Sequence, residues 1–450
     1  MYTLPTLNTD NASIDLVYRI ALGDIYSNVV SFRDGLLKSQ SPVLLAGAGY
    51  HTPWTRDAAI NIWNGCGLII PEVSKNSLLA TIAEKDGVKR VGGEYWDAVI
   101  WAVGAEWYYK YTGDEEFLPL MTEVIENSLT YFEDTEFDEN LNLFRGPACY
   151  GDGISAYPDR YATGESGIAR VADLKTDICL EKGVGIPMYT LSTNCLYYEC
   201  YNIARRLTGK EKYKQKAENM KAAVNRHFWN GKTGRYNYII DAWGGCDYSE
   251  GIGQSFAILF GIADKAKAES VIAGQPITEN GIPCIDRKFP RYEGRDGIPR
   301  HAETVWPQIQ AFWADAVSRY DVKKFEYEFS ALTKNVARLG YFAEVLHPVT
   351  GERYGGIQEW QGNYVEWASE VRQTWSATGY LRMVLFDLFG MRFEREGLYI
   401  KPLKNSLAAK MELRGLRYRN ADLDVFVTGE NYGKEVFISA NISGKKQIIV

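Results

Sequence analysis

Apolar side chains recur at helical spacing along most of the chain, from about residue 12 to residue 390. The clearest helix is predicted from about Asn194 to the residue before Gly209, because glycine tolerates the positive φ of a helix end. A second helix is predicted from Glu211 to about His227. Apolar positions of the first helix are spaced by four, three and four residues: Leu196, Cys200, Ile203 and Leu207. The pattern predicts a mainly α-helical chain.

A short motif occurs twice at the joint between two predicted helices, as YTGDEEF at Tyr111–Phe117 and as LTGKEKY at Leu207–Tyr213. Repeats of this kind are typical of stacked helical hairpins, which bury their apolar faces in an open superhelix or a closed ring. We favour the ring, because the loops on one side are long and carry Trp, Asp and Glu. Six such loops predict six hairpins, an (α/α)6 barrel over residues 1–393. The loops are 50–57, 92–97, 145–165, 241–251, 286–306 and 344–375.

After Phe393 the spacing of apolar residues changes from helical to alternating. Three short stretches then read as β-strands, at Gly397–Pro402, Ala421–Val427 and Glu435–Ser439. We therefore predict a small β-strand appendage over residues 394–450.

The overall composition is that of a globular protein, with 46% hydrophobic and 24% charged residues among 450. A net charge of −7 offers no basic stripe for a phosphate backbone, so no nucleic-acid partner is expected. Aromatic residues reach 13%, and many of the 12 Trp and 30 Tyr lie beside Gly, Asp or Glu. Rings in such places suit flat sugar faces, although a large aromatic core is the alternative.

The seven cysteines form no CxxC pair, which is typical of free thiols in a reducing compartment. The N-terminus lacks the basic and apolar regions of a signal peptide, and no apolar stretch is long enough to span a membrane. We expect a cytoplasmic protein with no membrane partner; a periplasmic location stays open if a signal peptide has been removed. HExxH, Walker, GxSxG and dinucleotide motifs are absent and only four His occur, so no metal or cofactor is expected.

Cleavage of a glycosidic bond with inversion needs an acid that protonates the leaving oxygen and a carboxylate that activates water on the opposite face. Asp152 lies in segment 145–158, a Gly-rich loop crowded with aromatic residues, where poor solvation would raise the pKa of a carboxyl group. We therefore predict Asp152 as the acid, with Asp159 as the nearby alternative. Asp-Gly is also a common turn, so a purely structural role for Asp152 stays open.

Glu344 lies in a second long loop, which continues to a segment that carries Trp360. A carboxylate there could hold water at the anomeric carbon of a sugar, so we predict Glu344 as the base and Trp360 as a substrate contact. Local sequence does not separate Glu344 from three other glutamates of the loop, and any of the four could be a solvated charge. These rivals are Glu359, Glu366 and Glu370.

Two further segments combine tryptophan with charged side chains at the start of a predicted helix. In the first, Arg56 and Asp57 beside Trp54 offer a hydrogen-bond donor, an acceptor and a stacking surface, as pockets for sugar hydroxyls do. In both segments an acidic residue could instead cap the helix that follows. The second segment repeats the mixture, and its side chains are also predicted to bind substrate: Glu94, Trp96 and Asp97.

Several motifs occur in the order found in the six-hairpin glycosidases. The chain resembles the group with glycoside hydrolase family 63, the trehalases and the amylo-α-1,6-glucosidase part of glycogen debranching enzymes. Two places depart from the family pattern: no Trp lies two residues before Asp152, and Ala302-Glu303 stands where Arg-Gly is common. The matching segments are Thr55–Asp57, Ser192–Tyr198, His301–Pro307, His347–Gly351 and Trp375–Ala377, together with Glu344.

The resemblance implies the six-hairpin fold, with Glu344 as the base and Asp152 as the acid. It also implies which side chains line the sugar pocket: Trp54, Arg56, Asp57, His301, Trp306 and Trp375.

From these motifs we expect an inverting, exo-acting hydrolase whose partner is an α-linked glucoside or related oligosaccharide. One alternative is a phosphorylase, lyase or epimerase on the same barrel, and a phosphorylase would carry a cationic phosphate site instead of a base. A non-catalytic sugar-binding protein is the other alternative. The sequence does not indicate an oligomeric state.

Overall fold

The computed structural model describes residues 4–93, 96–162, 188–360, 363–429 and 431–450. Helices make up 44% of these described residues, which confirms the prediction of a mainly α-helical protein. The helices are α1 (Ala12–Ser27), α2 (Thr55–Asn61), α3 (Pro71–Ala80), α4 (Trp101–Thr112), α5 (Leu118–Glu136), α6 (Leu191–Thr208), α7 (Glu211–His227), α8 (Gly251–Leu259), α9 (Lys265–Gly274), α10 (Pro307–Ser318), α11 (Val322–Leu339) and α12 (Thr374–Arg382).

The two helices that the spacing predicted most clearly are present. Helix α6 begins at Leu191, slightly before the predicted start, and ends at Thr208, where Gly209 adopts φ +67°. Helix α7 has the predicted bounds, Glu211–His227. Two other helices continue past their regular ends into wider turns, α2 into Ile62–Cys66 and α12 into Met383–Leu388.

The even-numbered helices contact one another in a cycle. Helix α2 contacts α4, α4 contacts α6, and the series continues through α8, α10 and α12 back to α2. Of the odd-numbered helices, α1, α3, α5, α7 and α11 each pack against members of this cycle.

The burial of each helix follows from its sequence. Every residue of α2 and α12 is buried, which is possible only for a helix surrounded by protein. Helix α11 instead buries one face, with Phe325, Phe329, Leu332 and Val336 at spacings of four, three and four residues, and leaves charged residues on the other. The apolar pattern therefore decides which helices form the inner cycle and which cover it.

Short antiparallel strands join many of the helices and shape the loops. They are β2 (Val29–Phe32) with β3 (Ser41–Leu44), β4 (Ile82–Lys85) with β5 (Val88–Val91), β6 (Phe137–Asp138) with β7 (Leu143–Phe144), β8 (Met188–Thr190), β9 (Trp229–Asn230) with β10 (Arg235–Tyr236), β11 (Ile239–Asp241) with β12 (Gly244–Cys246), and β13 (Ile357–Trp360) with β14 (Asn363–Glu366).

The C-terminal strands form two small sheets. One has the order β15-β16-β19, and the other has the order β1-β17-β18-β20, in which β18 and β20 run parallel. Strand β1 comes from the N-terminal end of the chain, so both ends of the chain share one sheet. The domain boundary at residue 393 stays a prediction. The strands are β1 (Thr6–Thr9), β15 (Met391–Phe393), β16 (Gly397–Ile400), β17 (Lys410–Tyr418), β18 (Asn420–Thr428), β19 (Val436–Ser439) and β20 (Ser443–Ile449).

In the part of the chain that the structure describes, no helix is long and apolar enough to cross a membrane. Six of the seven cysteines lie in that part, and all six are buried free thiols. The seventh, Cys179, lies outside the described residues.

Candidate active site

A cavity of about 270 Å³ opens at the end of the helical cycle where α2, α10 and α12 begin. This volume is slightly below the range of about 300–1,000 Å³ that is typical of small-molecule sites. Residues from four of the six predicted loops meet here. The lining residues are Tyr50, Trp54, Arg56, Asp57, Asp152, Gly153, Ile154, Arg300, His301, Trp306, Glu344, Gln358, Glu359, Trp360, Trp367 and Trp375.

The Asp152 carboxylate lies between two nitrogen donors. Oδ2 accepts a hydrogen bond of 2.8 Å from Nη2 of Arg56, and Oδ1 lies 3.3 Å from Nε2 of His301. Burial alone would raise the pKa of Asp152, but Arg56 and His301 outweigh it and hold the pKa below its ordinary range. Asp152 is therefore ionised in the free protein, contrary to the raised pKa expected from its loop.

The loop that carries Asp152 is fixed by strained backbone and by buried contacts. Tyr150 adopts φ +66°, a conformation that costs a residue with a side chain about 1–3 kcal/mol. Its ring is fully buried, 5.0 Å from the guanidinium of Arg56 and 5.3 Å from the ring of Trp375. Packing around Tyr150 therefore holds a turn that places Asp152 against Arg56.

His301 is buried and neutral. Its ring stacks on Trp306 at 5.1 Å, and Nδ1 lies 2.9 Å from Oγ of Ser155. Burial lowers the pKa of His301 in spite of the neighbouring Asp152. Because a carboxylate can only accept, the favoured tautomer carries the proton on Nε2, facing Asp152, and leaves Nδ1 to accept from the Ser155 hydroxyl.

Glu344 lies deeper in the cavity, with a side chain only 4% exposed. Its Oε2 is 2.9 Å from Nη2 of Arg300 and accepts a hydrogen bond of 3.2 Å from the backbone N–H of Glu370. The backbone N–H of Phe342, two residues earlier, donates to Asp24 of α1 at 2.8 Å. These contacts hold one carboxylate oxygen of Glu344 in place on a tethered loop.

Asp57, in the first turn of α2, is 5% exposed. Its Oδ1 accepts no hydrogen bond from any residue that the structure describes. Burial raises the pKa of Asp57 to about 7, although the neighbouring Arg56 opposes the shift. The cavity thus holds one carboxyl group that is partly protonated near neutral pH beside another that is ionised.

The second predicted binding segment lies behind the cavity. Asp97 is fully buried, 3.5 Å from Nη1 of Arg56, and accepts a hydrogen bond of 3.4 Å from the N–H of Tyr150. Trp96 donates from Nε1 to the carbonyl of Ala148 at 3.0 Å. Neither Trp96 nor Asp97 lines the cavity, and both support Arg56 and the Asp152 loop from behind. Their contact with substrate stays a prediction. Glu94 lies outside the described residues.

The alternative acid and bases differ from the predicted pair in their surroundings. Asp159 pairs with Arg291 at 2.9 Å, and Glu359 lines the cavity but pairs with the same Arg291 at 2.6 Å and with Tyr292. Glu366 is exposed on β14. Glu370 meets Glu344 only through its backbone, which exchanges two hydrogen bonds with it.

Several lining residues were not predicted, among them Tyr50, Arg300, Gln358 and Trp367. Tyr50 begins the predicted loop 50–57, and Arg300 directly precedes the matching segment His301–Pro307. Glu303 stands where glycine is common in the family pattern. Its backbone adopts φ +67°, a conformation that favours glycine. Three residues before Glu303, Arg300 supplies the guanidinium that contacts Glu344.

No family model and no curated protein matches this chain. Among solved structures it is similar to one named Sialidase, with a TM-score of 0.72 and 15% identity over 97% of this chain and 40% of that one. It is similar to a GH78 family rhamnosidase of Bacillus sp. GL1, with a TM-score of 0.58 and 12% identity over 100% of this chain and 44% of that one. This chain therefore spans about two fifths of the length of these two proteins.

A third similar structure is the GH63 mannosylglycerate hydrolase from Thermus thermophilus in complex with glucose, with a TM-score of 0.58 and 11% identity. The likeness covers 82% of this chain and 100% of that one. Identities this low establish the fold alone. The chain has a glycoside hydrolase-like fold, as its resemblance to the six-hairpin glycosidases implied.

Proposed function

We propose that this protein is an inverting glycoside hydrolase built on an (α/α)6 barrel, with Asp152 as the general acid and Glu344 as the general base. One observation carries the proposal: both carboxylates face the same cavity, at different depths. The Asp152 side chain is 28% exposed, whereas that of Glu344 is 4% exposed. The cycle of contacts among the even-numbered helices supports the barrel.

The difference in depth between Asp152 and Glu344 determines the side from which each carboxylate acts on the sugar. An acid near the open side protonates an oxygen whose leaving group departs toward solvent. A base near the floor activates a water molecule that attacks from the closed side, as inversion requires. A cavity of about 270 Å³ suits a single terminal sugar, which supports exo action.

For this role, Asp152 must take up a proton after the sugar binds. A sugar in the cavity covers the exposed part of the carboxylate, and desolvation raises the pKa of a carboxyl group. Sugar hydroxyls also compete for the contacts that Arg56 and His301 make with the Asp152 carboxylate in the free protein. Both effects move the pKa of Asp152 upward in the complex.

The charges of the lining residues favour a neutral sugar. Among the described lining residues, the two arginines are each paired with a carboxylate, Arg56 with Asp152 and Arg300 with Glu344. A sugar carboxylate or an inorganic phosphate would have to compete with those partners. The same pairing favours hydrolysis over phosphorolysis. From the resemblance, we propose an α-linked glucoside or related oligosaccharide as the substrate.

The proposal is tested on a panel of α-linked glucose disaccharides with three proteins: the wild type, Glu344→Gln and Glu366→Gln. Glu366 is the matched control, since it is an exposed glutamate of the same loop. We expect glucose release by the wild type and by Glu366→Gln, and a loss of about 10³-fold in Glu344→Gln. Equal activity of Glu344→Gln and wild type, or phosphate-dependent release of a sugar phosphate, would contradict the proposal.

A further inference from the structure

We propose that Trp360, on the β13–β14 hairpin, is the stacking platform of a leaving-group subsite that takes a neutral sugar ring or another flat uncharged ring. This inference rests on the proposed function, because it assigns the part of the substrate that departs. It makes Trp360 the residue that sets which leaving groups the protein accepts.

The tryptophans that line the cavity differ in depth. Trp306 and Trp375 are 2% and 3% exposed; Trp306 directly precedes α10 and Trp375 lies in the first turn of α12, so both lie at the floor. Trp360 is 44% exposed although it lines the same cavity. An exposed ring at the rim can stack on the second ring of a substrate, while the buried rings surround the first.

The hairpin that carries Trp360 is firmly held. The carboxylate of Glu359 accepts a hydrogen bond of 2.6 Å from Nε of Arg291 and another from the hydroxyl of Tyr292. On β14, the ring of Tyr364 meets Tyr292 edge to face at 5.5 Å, and the guanidinium of Arg295 lies 3.6 Å from it. A ring presented on a fixed support loses little conformational entropy when it binds a ligand.

The same arginine ties the hairpin to the loop of the proposed acid. Arg291 donates to the carbonyls of Ile154 and Tyr157 at 2.9 and 2.7 Å, only a few residues after Asp152. Asp152 protonates the oxygen that leaves with the departing ring. That ring must therefore lie beside the Asp152 loop, where the hairpin places Trp360.

The chemistry at the rim suits an uncharged partner. The ring of Trp367, which also lines the cavity, meets Trp360 edge to face at 5.7 Å and supports its plane. The acidic neighbour of Trp360 on the hairpin, Glu359, is neutralised by Arg291. The rim thus offers aromatic faces for stacking.

The test compares two substrates that share the first ring and differ in the leaving group. One is the α-linked glucose disaccharide that the wild type cleaves fastest, and the other is α-glucosyl fluoride, whose leaving group has no ring. For Trp360→Ala we expect kcat/KM to fall about tenfold on the disaccharide and to stay within about twofold on the fluoride. Trp360→Phe should recover most of the loss, because it keeps a stacking face. Trp243→Ala is the matched control, since Trp243 is 70% exposed and does not line the cavity.

Each outcome decides between the inference and its failure. An equal fall on both substrates would place Trp360 at the first ring, and no fall on either would remove it from the substrate path; both overturn the inference. If the wild type cleaves neither substrate, the proposed function fails instead. The binding of glucose and of maltose, measured by calorimetry, then tests Trp360 without the reaction. The wild type should bind maltose more tightly than glucose, and Trp360→Ala should lose this difference. An unchanged ratio of the two affinities in Trp360→Ala would overturn the inference.

Discussion

Two aspartates beside Arg56, Asp152 and Asp57, have pKa values shifted in opposite directions. Asp152 is paired with Arg56 and His301, which keep it ionised, whereas Asp57 is buried without a partner for Oδ1 among the described residues and has a pKa of about 7. Pairs of carboxyl groups whose environments push their pKa values apart are typical of acid–base sites. Whether Asp152 is the residue that protonates the leaving group therefore needs direct measurement.

The role of Asp152 is tested by the leaving group. Protonation of the leaving atom matters for a sugar oxygen but little for fluoride, so Asp152→Asn should lose about 10³-fold in kcat on an α-linked disaccharide and stay within about tenfold on α-glucosyl fluoride. Asp159→Asn is the matched control and should keep activity on both, because Asp159 pairs with Arg291 away from the cavity lining. Similar losses on the two substrates in Asp152→Asn would assign Asp152 to binding, not to acid catalysis.

The raised pKa of Asp57 predicts that kcat/KM depends on pH. α-Glucosyl fluoride separates this dependence from that of the general acid, because fluoride needs little protonation to leave. As the pH rises through about 7, Asp57 ionises and adds a third negative charge near Asp152 and Glu344, so kcat/KM for α-glucosyl fluoride should fall. Asp57→Asn keeps the shape and removes the charge. In a pH series its profile should be flat from about 6 to 8.5, and a wild-type decline that persists unchanged in this variant would rule out Asp57 as its cause.

At the scale of elements, the Asp152 loop is anchored on the helices behind it. The N–H of Cys149 donates to Oγ of Ser192 at 2.9 Å, and the Ser192 hydroxyl donates to Glu250 at 2.5 Å. Glu250 precedes α8 and is 2% exposed, and burial raises its pKa from 4.5 to about 8. The folded protein therefore holds this carboxyl group in its neutral form at pH 7.

This neutral carboxyl makes stability depend on pH. Between about pH 4.5 and 8 the unfolded chain has lost the Glu250 proton and the folded protein keeps it, so the free energy of unfolding falls as pH rises, by at most about 1.4 kcal/mol per pH unit. Glu250→Gln should flatten this part of the dependence in denaturant titrations at several pH values. The exposed Glu366→Gln should leave the slope unchanged, and an unaltered slope in Glu250→Gln would show that Glu250 is already ionised.

The sequence pattern predicted elements that are stabilised by contacts between near neighbours in the chain. It did not predict features that depend on contacts between distant residues. The spacing of apolar residues predicted α6 and α7, because a helix repeats its contacts every three or four residues. It did not predict that β1 pairs with β17, since that pairing joins residues about 400 apart and leaves no periodic signal. The sequence also did not predict that Trp96 and Asp97 lie behind the cavity, because residue type suggests a sugar contact and only packing shows where the side chains lie.

At the scale of the whole molecule, the candidate site joins parts of the chain from Tyr50 to Trp375. The motifs of the family resemblance pointed to half of the lining residues, because those motifs occur in a fixed order along the chain. Tyr50, Arg300 and Trp367 belong to none of these motifs. They come together only because the even-numbered helices contact one another in a cycle.

The C-terminal strands pack on the helices through aromatic rings. Phe393 is fully buried and lies 4.8 Å from the ring of Tyr111 in α4 and 5.8 Å from that of Tyr418 in β17. Phe393→Ala should therefore lower the free energy of unfolding by about 3–5 kcal/mol. Phe437→Ala is the control and should cost little, because that ring is 49% exposed on β19. Equal midpoints of chemical unfolding for the two variants would show that the helices and the C-terminal strands do not stabilise each other.

The central claim is that Asp152 and Glu344 act on opposite faces of one bound sugar. It is tested most directly by ¹H NMR of the glucose that the wild type releases from an α-linked disaccharide, recorded before the anomers equilibrate. A base at the floor and an acid at the mouth predict that β-glucose appears first. Initial release of α-glucose would mean retention of configuration and would contradict the claim.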